Sequence, residues 1–348
     1  MHPGRDMRRF AGFVIAFLML CAPATAAPPA DFQSADTVLA WINRYRHKPE
    51  PERLPLAAQA LSRFGAFRDP ESSGVYVGFI AGVLGSNPAR AADLIEGMFP
   101  LNAEDHWVVV RAIANSGLPD WKSMLNDYAS LMPTRNVMMS KYLAGSLHTI
   151  TDTVASKEPS VTDRVKGYFT RGKPKGPTVD WALDASPEVL DMLWGHYFAT
   201  GDYGPILRIV GMLAWSADRN SVDKLTLGAM AKYTLTSNAA RDHGLLTMLK
   251  RSARQQPEET AKVLKQVTDA ADTMQIAPIR KEMLAAIEDL KRKGPGGKRD
   301  AMTWGRVGEG AIALGCIGAV VAGQVALGLP CVVGGAVTSA ALKGMAEQ

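Results

Sequence analysis

The stretch from Gly167 to Lys173, Gly-Tyr-Phe-Thr-Arg-Gly-Lys, fills the first seven positions of the phosphate-binding pattern G-x-x-x-x-G-K-[ST]. Such a loop cradles phosphates with backbone amides and places its closing hydroxyl on magnesium. Pro174 stands where the hydroxyl is needed, and neither a strand before it nor a clear helix after it supplies the context. The stretch reads as a flexible basic linker. His148 and Asp152 stand four residues apart, which on a helix puts both on one face as two metal ligands. A catalytic zinc needs a third protein ligand, and His47, His106, His196 and His243 have no neighbouring ligand pattern. A helix-end histidine beside a carboxylate, or a solvated face, is the more economical reading. His106 follows Glu104 and Asp105, acids that suit the first turn of a helix. Neither G-x-S-x-G nor H-E-x-x-H occurs. No catalytic residue, metal or cofactor is assigned.

The first residues set the compartment. Arg5, Arg8 and Arg9 precede an apolar run from Phe10 to Cys21, and Ala24-Thr25-Ala26 offers small residues for cleavage. This predicts a secretory signal peptide over residues 1–26, because the run is shorter than the roughly 20 apolar residues of a membrane-crossing helix. Lipidation at Cys21 is disfavoured by Leu20, since such signals place a small residue before the cysteine. Removing the leader leaves 36 basic and 33 acidic side chains, a formal charge of +3. That balance gives no case for nucleic acid, which calls for a clustered basic face. An exported protein rich in helix also brings cell-wall cleavage into view. "ESSG" at Glu71 is similar to the Glu-Ser start of the lytic transglycosylase motif, whose catalytic glutamate sits on a helix. The Gly-Leu-Met-Gln element that follows in that family is missing here.

These residues must be positioned by helices, because nearly every segment between breakers repeats its apolar positions about once per turn. Val38, Leu39, Ile42 and Tyr45 share a face, as do Val189, Leu190, Leu193, Trp194, Tyr197 and Phe198, then Val263, Leu264, Val267 and Ala271. Pro257 with Glu258 and Glu259 predicts a helix start. Two stretches, "VYVGFI" from Val75 and "WVVV" from Trp107, have the composition of strands. With no partner strands beside them they are read as buried helix. Pro, Gly and Asn recur at short intervals, so the helices pair as antiparallel hairpins.

One hairpin, Leu193 to Val210, resembles a tetratricopeptide repeat through Leu193, Tyr197, Gly201, Asp202 and Tyr203. Trp194 and Ile206 replace the small residues of that family and imply a looser or differently angled pair. Weaker echoes lie at 78–95, 111–125 and 231–246. The resemblance implies an all-α fold of stacked hairpins, an α-solenoid. Trp194, Tyr197 and Tyr203 are the expected recognition surface, although tryptophans at helical spacing, Trp41, Trp107, Trp121 and Trp181 included, are more often packing residues.

The expected organisation is a leader at 1–26, a helical block at 27–150, a Pro/Gly/Lys-rich connector at 151–185, a second block at 186–295 and a glycine-rich tail at 296–348. From Ala311 to Leu342 the tail holds no charge, but its many glycines and Gln324 make a single membrane span marginal. Lys291, Arg292, Lys293, Lys298 and Arg299 also lie on the already exported side. A hairpin folded near Leu329-Pro330 or Gly323 removes these objections, and its glycines permit close helix contact, as in the glycine-zipper hairpins it resembles. It is left open as a hairpin docked on the array, one held at a membrane over 307–342 with Trp304 at the interface, or an oligomerisation element. A Cys316–Cys331 disulfide needs a bend near Gly323-Gln324; a turn at Gly328-Leu329-Pro330 leaves Cys316 about 18 Å away along the helix.

The sequence therefore predicts an exported, periplasmic or membrane-associated helical protein that binds or scaffolds a protein partner in the bacterial envelope. The rival is an envelope hydrolase using Glu71, or an acid of the 180–205 region, as general acid. A third reading is a membrane-active protein acting through its tail.

Overall fold

The computed structural model describes residues 32–150, 186–218, 221–273 and positions 278, 279, 281 and 285. The chain clusters into two units, Met1–Ala30 and Asp31–Gln348, and everything described belongs to the second. The leader, the connector with its Gly167–Lys173 stretch, Asp152, Trp181 and the whole tail with Trp304, Cys316 and Cys331 lie outside the described residues, as does the side chain of Glu71.

Among the described residues there are twelve α-helices and no strand. They are α1 Ala35–Tyr45, α2 Leu54–Arg63, α3 Gly74–Ser86, α4 Ala91–Met98, α5 His106–Ala114, α6 Trp121–Asp127, α7 Asn136–Leu143, α8 Pro187–Thr200, α9 Gly204–Gly211, α10 Val222–Ala239, α11 His243–Ser252 and α12 Glu258–Asp272. Short 3-10 turns join many of them. The "VYVGFI" and "WVVV" stretches are helical, in α3 and α5, as the missing partner strands demanded. Local chemistry fixes several ends. Ser34 and Thr37 cap α1 reciprocally, Ser186 accepts from the Val189 amide to start α8, and Gly201, at φ 70°, closes α8 in the left-handed region that favours glycine. Pro257 stands at the N-cap position just before α12, without a side-chain capping bond, and Glu258 and Glu259 fill the first turn.

The helix around which the rest is organised is α3. Its residues from Gly74 to Leu84 are all buried, with no polar face, so it must be covered on every side. The most extensive interface between helices joins α3 to α8. Hairpins stacked in chain order would place each helix chiefly against its neighbours in sequence. The α3–α8 pair instead joins the block before residue 151 directly to the block after residue 185. The glycines along it explain how. A Cβ placed on Gly78 would lie 2.0 Å from the Met192 carbonyl oxygen, one on Gly74 2.5 Å from the Glu188 oxygen, and one on Gly82 2.7 Å from the Ala199 Cβ. From the other side, a Cβ on Gly195 would lie 2.1 Å from the Val75 oxygen. The two backbones touch, and only residues without a side chain permit it.

Around this pair, Trp41 and Tyr45 of α1 meet Phe79 of α3 edge to face at 5.2 and 5.1 Å, with Phe32 at 5.5 Å from Trp41. Trp194 is 0% exposed, stacks on Phe198 and donates its indole N–H to Thr234 Oγ1 of α10 at 3.0 Å. A second close approach sets Gly228 of α10 against the backbone of Trp215 and Ser216.

Filling the seam is expected to break it. Gly78→Ala or Gly195→Ala should cost about 3 kcal/mol, read as a lower urea midpoint, because the obstructing atom is backbone carbonyl and cannot swing aside. Gly145→Ala, at φ 70° but with nothing within 4 Å of the new Cβ, should cost only about 1 kcal/mol. Equal losses at these sites would refute the close-contact account.

Candidate functional site

Two of the clefts on the described surface are lined by charged side chains. The first, of about 430 Å³, lies between the C-terminal end of α1, the end of α8 and the start of α11. Its polar wall is built by one three-way contact. Arg46, the residue that ends α1, places Nη2 2.8 Å from Asp242 Oδ2, and the Tyr197 hydroxyl donates to the same oxygen at 2.8 Å. The guanidinium also lies over the Tyr197 and Phe198 rings, 5.1 and 5.7 Å from their centroids. Its second terminal nitrogen, Nη1, donates to the Asn43 carbonyl at 2.8 Å, which fixes the fork against the end of its own helix.

Asp242 has a second duty. Its Oδ1 accepts the Leu245 amide at 3.0 Å and so caps α11. Burial alone would push its carboxyl pKa up, but the Leu245 amide, the Tyr197 hydroxyl and Arg46 outweigh it and hold the group below its ordinary value. Burial, reinforced by the bond to Asp242, pushes the Tyr197 phenol well up, so it stays a donor. The groups of this contact are a fixed acceptor, a fixed donor and a permanent cation; they hold charge in place and leave no base poised beside a nucleophile. Arg44, His47 and Arg241 complete the cleft's basic rim.

The second cleft, of about 450 Å³, lies beside α5 and α8. Arg111 pairs with Glu188 across these helices. The Ile150 amide donates to Asn115 Oδ1 at 2.8 Å, and Arg208 donates to the Ile150 carbonyl at 2.5 Å. Residues 150 and 186, which bound the undescribed connector, both line it.

The expected recognition residues separate. Trp194 belongs to the core, a correction that follows from its complete burial and its bond to Thr234. Tyr197 is 2% exposed and meets the cleft through its hydroxyl, so its ring is no open surface either. Tyr203 alone stays exposed, 5.9 Å from the Tyr197 ring. Trp41 and Trp107 are core residues as well. His148 lies in irregular chain after α7 and is exposed, so the one-face argument that paired it with Asp152 does not hold. Among the described residues no three His, Cys, Asp or Glu gather as a metal site requires, and no helix is long and apolar enough to cross a membrane. His106 opens α5 as expected, with Nε2 3.2 Å from the Leu101 carbonyl.

The residues that sequence reasoning missed are Arg46 and Asp242. Asp242 carried a signal, an aspartate just before an apolar helix, the pattern of an N-cap. Its partner 196 residues earlier carried none. No family model matches the chain, and neither the characterised proteins nor the solved structures compared with it give a match.

The lowered pKa of Asp242 has a definite consequence for stability. Its contribution is complete above the ordinary carboxyl value of 3.8 and is lost as pH falls through the lower value of the folded state. Asp242→Asn should therefore destabilise the protein by about 2 kcal/mol at neutral pH. It should also flatten the acid limb of a plot of urea midpoint against pH. An acid limb of unchanged slope in the variant would remove the charge from this account.

Proposed function

We propose that the chain is an exported helical protein that serves the bacterial cell envelope as a protein-binding or scaffolding module. The observation that carries this reading is the first cleft. It is a concave surface whose polar groups are already locked by the Arg46–Asp242–Tyr197 contact and rimmed by further arginines. Pre-ordered charged and aromatic groups suit recognition, since little freedom is left to lose on binding. The sequence supports the compartment through its leader at 1–26. The tetratricopeptide resemblance of 193–210 supports recognition by paired helices; α8 and α9 form a helix–turn–helix there, though the α3–α8 seam makes a simple stack of neighbours an incomplete description. The tail, with Trp304 and the Cys316–Cys331 pair, remains in this reading a hairpin that docks, anchors or oligomerises.

The test is crosslinking in intact cells with the full chain, followed by recovery of crosslinked envelope proteins. A defined partner recovered with the wild type and lost with Arg46→Ala, in a variant that still accumulates to normal levels, is the expected result. Release of soluble fragments from purified cell wall, abolished by Glu71→Gln, would instead establish the hydrolase.

A further inference from the structure

We propose that the cleft between α1, α8 and α11 binds the carboxylates of an acidic peptide segment. The inference rests on the protein-binding reading above and names its partner chemistry. Three arginines and one histidine line the cleft, against a single aspartate. That aspartate is consumed by Arg46, Tyr197 and the Leu245 amide, so it offers an incoming anion little repulsion. Arg44 and His47 are exposed, and Arg44 makes no ion pair among the described residues. A guanidinium presents paired N–H donors in the plane that a carboxylate accepts.

The position of Arg44 in the last turn of α1 complements the carbonyls at that helix end. Helix-end compensation accounts for Arg44 on α1, while α10 has no basic residue in its last turn. It does not by itself explain why cations from residues 44–47 line one concavity with Arg241, which also has a partner of its own. Between them the lining includes the half-buried Ala40, with Phe198 and Leu245 buried behind it. The concavity also selects among anions. A flat bilayer surface meets the rim and not the floor, whereas an extended peptide reaches both. Phosphate shares the chemistry of the guanidinium site and is separated by experiment.

The chain without its leader is titrated with fluorescein-labelled hexaglutamate, with labelled hexalysine as the opposite charge, and with inorganic phosphate and anionic phosphatidylglycerol vesicles as competitors. Hexaglutamate is expected to bind, and the Arg44→Gln/His47→Gln double variant to weaken it about tenfold at unchanged helical signal and urea midpoint. Lys122→Gln, on α6 outside the cleft lining, should leave it unchanged. On the wild type alone, raising salt from about 0.05 to about 0.5 M should weaken binding, which keeps the test decisive should the double variant misfold. Absent hexaglutamate binding, salt-insensitive binding, or binding indifferent to Arg44 and His47 in a folded variant would overturn the proposal. So would phosphate or vesicles displacing the peptide at lower charge concentration than unlabelled hexaglutamate. If hexaglutamate fails while the crosslinked partner persists, the acidic assignment falls and the scaffold reading stands; if hexaglutamate binds and no partner is found, the reverse holds.

Discussion

The contact on which the described structure depends is the approach of the α3 and α8 backbones to the limit set by their glycines. At Gly78 and Gly195 the opposing atom is a carbonyl oxygen, so the distance between the helices is set by main chain and not by side-chain shape. Such proximity multiplies weak dispersion contacts and brings Cα–H groups to carbonyls of the partner helix. It also fixes register. One helix cannot slide by a residue without driving a side chain into the other, and everything mounted on α8 inherits that position.

What α8 carries outward is the aromatic end that makes the first cleft. Phe198 stacks on Trp194 inside, while Tyr197 turns its hydroxyl to the surface beside Arg46. The ion pair that closes this region is mostly withdrawn from water, its side chains 11% and 15% exposed. Charges so placed are held at a desolvation cost that their attraction and hydrogen bonds must offset, and removing one leaves the other stranded. Tyr197, the Leu245 amide and the Asn43 carbonyl supply those bonds. The pair is thus a device for joining α1 to α11 in one geometry more than a source of net stability.

The helical class was legible because helix signals are local. Apolar spacing, a proline followed by acids, and the lack of partner strands beside "VYVGFI" all act within a few residues, and the elements follow them. Gly74, Gly78 and Gly82 also stand four apart in plain sight, the small-residue spacing of closely packed helices. Glycines also recur in the charge-free tail, whereas in α3 the surrounding apolar composition speaks only of burial. Trp194, Tyr197 and Tyr203 all belong to the hairpin that resembles a tetratricopeptide repeat. Trp194 and Tyr197, three residues apart, share one face of α8 and that face packs inward, whereas Tyr203 lies beyond the end of the helix and stays exposed. Arg46 and Asp242 were out of reach for a different reason: their pairing is decided by how α1 lies across α8, which no local pattern encodes.

Asp242 caps one helix, anchors a guanidinium from 196 residues earlier in the chain and receives a phenol, all with two oxygens. The bend at residues 240–242 is therefore no independent hinge. Fraying of the first turn of α11 would strand an arginine among aromatic rings. Movement of this surface loop is thereby coupled to the seating of Arg46 on the Tyr197 and Phe198 rings.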